Sequence, residues 1–197
     1  MSKENHGTRA KLIAEGRKSM IINGYDGIGL NGILEAAGVP KGSFYYFFKS
    51  KEAFATAVLE AYEEHFTQMR DTLFTDPAVS PLQRVRNYFE QVEQLHRSEI
   101  ELGGCLYGVL GQTARARSAA FRQSLSALFA RWQMQIEQLL AQAQLAGEVH
   151  ASINPAEAAA FLIEAYEGAL IRMKVDGNFD AYRRFMSFAF GALHPAD

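Results

Sequence analysis

One cysteine, Cys105, in 197 residues rules out an internal disulfide. With only 5 prolines, few positions force a helix to stop, so long helices are permitted. No window approaches the roughly 18 uninterrupted apolar residues that span a bilayer, which excludes membrane insertion. The opening residues MSKENHGTRAK lack the apolar stretch of a signal peptide, and a cytoplasmic protein is expected. The catalytic signatures GxxxxGKS/T, GxSxG and HExxH are missing. The five histidines, His6, His65, His96, His150 and His194, never fall at metal-ligand spacing. Neither a metal, a cofactor nor catalysis is expected.

What is present is ordinary for a globular chain: 48% hydrophobic and 21% charged residues, enough for one or two domains with a real core. The net charge of -2 conceals an asymmetry. Residues 1–51 carry eight Lys or Arg (Lys3, Arg9, Lys11, Arg17, Lys18, Lys41, Lys49, Lys51) against four acids (Glu4, Glu15, Asp26, Glu35), a balance of +4, while the remainder stands at -6. Such a split often separates a polyanion-binding part from a part with another task, although a solvated helix face gives the same count.

Apolar residues recur at helical spacing almost throughout, and no segment sustains the alternation of a half-buried strand. The fold class is therefore all-α, with about nine helices. The first is expected from a Thr8 N-cap to Asn23-Gly24, and the second from Leu30 to Ala37, ended by Gly38. The third spans Lys41 to about Phe47; a long fourth follows the cap Ser50, with the apolar line Phe54, Val58, Tyr62, Phe66, Met69, Leu73. Thr75 to Pro81 is a linker, after which Ser80-Pro81-Leu82-Gln83 has a capping-box pattern and Val85, Tyr88, Phe89, Val92 and Leu95 continue a helix that Gly103-Gly104 breaks. Further helices are expected at about Cys105 to Ala114, Ala119 to Leu145, Pro155 (capped by Asn154) to Val175, and through Tyr182 to Leu193.

Residues Gly27-Ile28-Gly29-Leu30-Asn31-Gly32 match GxGxxG, yet that fingerprint works only between a strand and a helix, and here a helix precedes it. The reading is rejected. Two short helices joined across Gly38-Val39-Pro40 have the spacing of a helix-turn-helix, over about 29–48. Gly42 lets the first turn of the second helix approach a base edge or methyl group, Lys41, Lys49 and Lys51 suit phosphates, and Tyr45 and Tyr46 carry donor hydroxyls. Phe44 and Phe48 are expected to pack inward. From spacing alone, an ordinary helical hairpin with an aromatic core stays open.

Residues Thr8 to about Phe66 resemble the N-terminal domain of TetR-type transcriptional repressors. The resemblance rests on Asn23-Gly24-Tyr25, Ile33, Ala36-Ala37-Gly38-Val39, Lys41-Gly42-Ser43-Phe44-Tyr45-Tyr46-Phe47-Phe48 and Ser50-Lys51-Glu52-Ala53-Phe54. It implies a DNA-binding domain over 6–66 and a helical ligand-binding and dimerisation domain over 67–197. The DNA contacts implied are Thr8, Arg9, Lys41, Gly42, Ser43, Tyr45, Tyr46, Lys49 and Lys51. Gly29-Leu30-Asn31 stands where many such proteins have a phosphate-contacting Ser or Thr, and Asn31 is the substitute. Gly103-Gly104-Cys105-Leu106 and Glu167-Gly168-Ala169-Leu170-Ile171-Arg172-Met173-Lys174 resemble the branch containing the electrophile-responsive repressor NemR and the acrylate-responsive repressor AcuR.

The resemblance further implies operator DNA as partner, a homodimer built by the last two helices, and release by a small-molecule inducer, an electrophile or a small organic acid. Ala165, Gly168, Ala169, Tyr182, Phe185, Ala189 and Leu193 are the expected dimer residues, although burial within one chain leaves the same pattern. Ligand candidates are Cys105, Tyr107, Gln112, Trp132, Tyr166, Glu167, Arg172 and Lys174. Arg172 and Lys174 together suit an organic acid, unless Glu167 neutralises one. Cys105 reads either as a small buried hydrophobe or as a sensor thiolate at a helix start, its pKa lowered by the dipole and, should the two lie close, by Lys174. The rival reading is an all-α enzyme or ligand-binding module without DNA function.

Overall fold

The computed structural model describes residues 3–27, 29–98 and 104–194; Ile28 and Gly103, used above, lie outside them. The described residues form nine α-helices and no strand: α1 (Lys3–Asn23), α2 (Leu30–Ala37), α3 (Lys41–Phe47), α4 (Lys51–Phe74), α5 (Pro81–Ser98), α6 (Leu106–Gln112), α7 (Ala119–Leu145), α8 (Pro155–Asp176) and α9 (Asp180–Gly191), with a 3₁₀ turn over Ala114–Ala116. None of these helices is long and apolar enough to cross a membrane. Through His65 the chain joins Cys105–Leu125 in one compact unit and the rest forms a second, so α4 and α7 contribute to both. This grouping differs from a division at 66/67, because α6 and the start of α7 pack with the N-terminal helices. Within the first unit the Tyr107 phenol donates to the buried Glu63 carboxylate, and Phe121 meets Tyr25 edge-on, ring centroids 6.2 Å apart.

In the first unit the rings of Phe44, Phe48 and Phe54 pack on one another, centroids 4.9–5.4 Å apart, and all three are buried. Gly16 makes this possible, since a Cβ there would stand 2.3 Å from the Phe54 ring. At the corner between α2 and α3, Gly38 has φ 65°, a left-handed value that costs glycine nothing. The Gly38 and Val39 amides donate to the Glu35 and Leu34 carbonyls (3.1 and 2.8 Å), which closes α2. Ser50 Oγ accepts from the Ala53 amide (3.0 Å), the expected cap of α4. Thr8, in contrast, is no cap. The helix-forming residues before it extend α1 back to Lys3, and Thr8 lies inside the helix.

In the second unit the expected capping box of α5 does not form. Gln83 donates instead to Asn87 Oδ1 (2.7 Å), and Glu148, from the turn after α7, accepts from Ser80 Oγ (2.8 Å) and the Leu82 amide (3.1 Å). A carboxylate is the better acceptor there, because first-turn amides carry the positive end of the helix dipole. Asn154 does cap α8, its Oδ1 accepting from the Ala156 amide (3.0 Å), with Pro155 opening the helix. Helix α6 is shorter than expected: Thr113 leaves α-helical geometry and the 3₁₀ turn takes over. Phe89 centres the core, its ring 5.1–6.4 Å from those of Trp132, Tyr166, Phe185 and Phe190.

Candidate functional site

Helix α3 divides its aromatic run by periodicity. Phe44 and Phe48 are 1% and 3% exposed, as expected, whereas Tyr45 and Tyr46 are 57% and 67% exposed. Lys41, Gly42, Lys49 and Asn31 are also exposed, and Ser43 is half-buried. Gly42 has no atom within 4 Å of its missing Cβ, so its surface is open to an approaching molecule. Arg9 and Lys51 are half-buried and aligned by rings: the Arg9 guanidinium lies 5.6 Å from the Phe48 centroid and the Lys51 ammonium 4.9 Å from that of Tyr25. The described part of the GxGxxG segment runs from the end of α1 into α2, with no strand before it, and so lacks the setting of a dinucleotide loop.

Around this surface, loops are fastened by residues that sequence reasoning passed over. Arg117 donates to both Asp26 carboxylate oxygens (3.0 and 3.1 Å) and stacks 4.1 Å from the Tyr25 centroid. Glu52, in the first turn of α4, accepts from the Ser118 hydroxyl and amide; those bonds, with the charge of Arg117, hold its carboxyl below the ordinary value against a smaller opposing effect of desolvation.

The ligand candidates are scattered. Cys105 and Tyr107 are buried in the first unit, Cys105 at the N-cap position of α6, and Gln112 is exposed. Trp132 and Tyr166 are buried in the second unit, while Glu167 is half-buried. Arg172 is exposed and pairs with Asp176 one turn on (2.9 Å), and Lys174 is exposed too. One polar feature of the interior was missed by the sequence reading. His96, buried, has Nε2 3.0 Å from the Tyr166 hydroxyl. Extending the α5 stripe Val85, Phe89, Val92 by one more turn reaches it. Tyr182 donates to the Phe89 carbonyl (2.6 Å), and burial, aided by Tyr88, Glu93 and Glu90, pushes its phenol well above the usual range.

Of the residues expected at a dimer face, five are turned inward. Ala169, Tyr182, Phe185, Ala189 and Leu193 are buried within the single chain, where apolar residues of α8 and α9 face each other and α5. Ala165 is half-buried and Gly168 exposed. The apolar residues that α8 and α9 leave exposed are Phe161, Ile171, Val175 and Phe188, 52–77% accessible. Phe161, Gly168 and Val175 recur every seven residues, so they share one helix face.

Residues 12–58 match the bacterial regulatory proteins of the tetR family, and residues 81–189 match the tetracyclin repressor-like C-terminal domain. The transcriptional regulator AcuR of Cereibacter sphaeroides is 38% identical over 175 residues, 88% of this chain and 80% of that one. The HTH-type transcriptional repressor DhaR of a Mycobacterium species is 31% identical over 188 residues, covering 95% and 93%. A crystal structure of a regulatory protein TetR from Rhodobacter sphaeroides superposes with a TM-score of 0.89 at 34% identity, over 93% of this chain and 97% of that one. The nine-helix fold, the helix-turn-helix and these likenesses together place the chain in the TetR family of transcriptional regulators.

Proposed function

We propose that this regulator binds operator DNA as a cytoplasmic homodimer and lets go of it when a small molecule, an electrophile or a small organic acid, enters the helical part beyond the reading domain. One observation carries the DNA reading: α3 fixes Phe44 and Phe48 inside and turns Lys41, Gly42, Tyr45 and Tyr46 outward. A rigid helix presenting cations, hydroxyls and an open glycine suits a major groove. Two such helices in a dimer must stand about 34–36 Å apart to enter successive grooves, and a ligand that prefers another spacing lowers affinity by its differential binding. The exposed stripe of Phe161, Gly168 and Val175, with Phe188, supports α8 and α9 as the dimer face.

The test is duplex binding across a salt series. Log K should fall steeply with log salt, and Lys51→Ala should flatten the slope by roughly one phosphate contact. A duplex affinity independent of salt refutes the reading. For the inducer, the aromatic interior around Phe89 with the His96–Tyr166 pair supports capture of a small molecule with one polar group. Cys105 carries the electrophile version, with one qualification from geometry: a buried thiol reacts only if the electrophile reaches the interior. Cys105→Ser should bind operator normally and resist release by quinones or unsaturated aldehydes; an unchanged response assigns Cys105 to packing.

A further inference from the structure

The first unit contains a joint between segments far apart in sequence. Arg117 and Ser118 connect the 3₁₀ turn to α7, and their partners Asp26 and Glu52 lie 91 and 66 residues earlier. The Ser118 hydroxyl has two roles: it accepts from the Phe121 amide (3.1 Å), capping α7, and donates to Glu52 at the start of α4. The Arg117 side chain is 15% exposed, with its guanidinium between the Tyr25 ring and the Asp26 carboxylate. Tyr25 also carries Phe121 on an edge and the Lys51 ammonium above its face. The loop after α1, the first turn of α4 and the start of α7 thus meet on one tyrosine. Its two cations, Arg117 and Lys51, are balanced by two carboxylates, Asp26 and Glu52.

Lys51 lies four residues beyond the end of α3, so whatever fixes the first turn of α4 also fixes the end of the reading helix. We propose that Arg117 and Ser118, though outside the helix-turn-helix, are positioning residues for operator binding. They set the direction of Lys51 and of α3 by clamping Tyr25, Asp26 and Glu52, and touch no DNA themselves. The proposal rests on the operator-binding reading. It adds that the start of α7 is part of the DNA-reading apparatus, so that whatever displaces residues 117–118 relaxes the reading helix.

The experiment uses the full-length protein and a duplex that the wild type selects from a randomised pool, with affinity measured over a salt series. Arg117→Ala should weaken binding by roughly tenfold, within the range of remote positioning residues. Its log–log salt slope should match the wild type, because no phosphate contact is lost, whereas Lys51→Ala should lose about one unit of slope. The reversed pair Asp26→Arg with Arg117→Asp should recover most of the affinity. Ser118→Ala, which leaves the Arg117 pair in place, should weaken binding by a smaller factor with the same slope. It keeps the test open should Arg117→Ala not fold. Unchanged affinity in both single variants overturns the proposal, and so does a slope reduced by one in Arg117→Ala, which makes Arg117 a phosphate contact. A lower active fraction in stoichiometric titration with a wild-type Kd also overturns it, since that is the mark of a merely structural role. A wild type without salt-dependent duplex binding is a different failure, that of the operator reading.

Discussion

The exposed tyrosines of α3 and the buried tyrosines of the second unit are used in opposite ways. In the first unit Tyr45 and Tyr46 of α3 are more than half exposed, while in the second Tyr88, Tyr166 and Tyr182 are at most 2% exposed. A buried phenol must find a partner inside, and Tyr182 and Tyr166 do so at the Phe89 carbonyl and His96. On α3 the phenols of Tyr45 and Tyr46 face outward, where a side chain contributes little to folding. The same residue type thus stabilises the second unit from within and lines the outer face of α3, and burial tells the two apart.

The sharpest way to break this comparison is inside α3 itself. Phe44→Ala should cost about 3–5 kcal/mol, as for other buried phenylalanines, and abolish duplex binding with the fold of the first unit. Tyr46→Ala should change stability by no more than about 0.5 kcal/mol in a urea titration yet weaken duplex binding. A Tyr46 variant that unfolds would erase the distinction. Gly16→Ala comes next: its new methyl meets the Phe54 ring, and overpacking should cost about 1–3 kcal/mol by thermal or urea unfolding, although alanine is the better helix former.

In the second unit, Tyr182→Phe should cost about 0.5–1.5 kcal/mol by leaving the Phe89 carbonyl without its donor. Because burial raises the Tyr182 pKa, its contribution is complete below the ordinary value of 10.0 and is lost as pH rises from there through the raised folded value. The phenylalanine variant should lack that part of the alkaline decline. On the exposed side, Gly42→Ala should raise stability by up to about 1 kcal/mol through helix propensity while altering which duplex is preferred, a gain in folding set against a change in recognition. The smallest effect concerns Glu52. Its lowered pKa means its contribution is present above the ordinary 4.5 and disappears as pH falls through the lower folded value; Ser118→Ala should move its carboxyl titration, followed by NMR, back upward.

Local chemistry made much of the fold readable. Glycines at 38, 147 and 177, all with positive φ, and prolines at 81 and 155 mark helix ends that the structure reproduces within a residue or two. The division of α3 into Phe44 and Phe48 inside and Tyr45 and Tyr46 outside follows from a period of 3.6 residues. What stayed hidden depends on pairs distant in sequence. Nothing near Ser80 announces Glu148, and nothing near Asp26 announces Arg117, because a surface carboxylate or guanidinium has no periodicity to betray its partner. The faces of α8 and α9 were hard to assign for a related reason: both helices carry apolar residues on a buried side and on an exposed one, and only the tertiary fold says which side is which.

The distant cap of α5 has a consequence for the order of events during synthesis. First-turn amides have no acceptor within their own helix, so α5 can wind as soon as its residues leave the ribosome and still lack its native start. Glu148, 66 residues after Leu82, has then not been made. The beginning of α5 is completed only when the turn after α7 arrives, and the Leu82 amide should gain protection from solvent exchange at that moment. In a chain stalled before residue 148 this amide should exchange freely while the middle of α5 is already protected, which makes a single backbone proton a record of whether the second unit has closed.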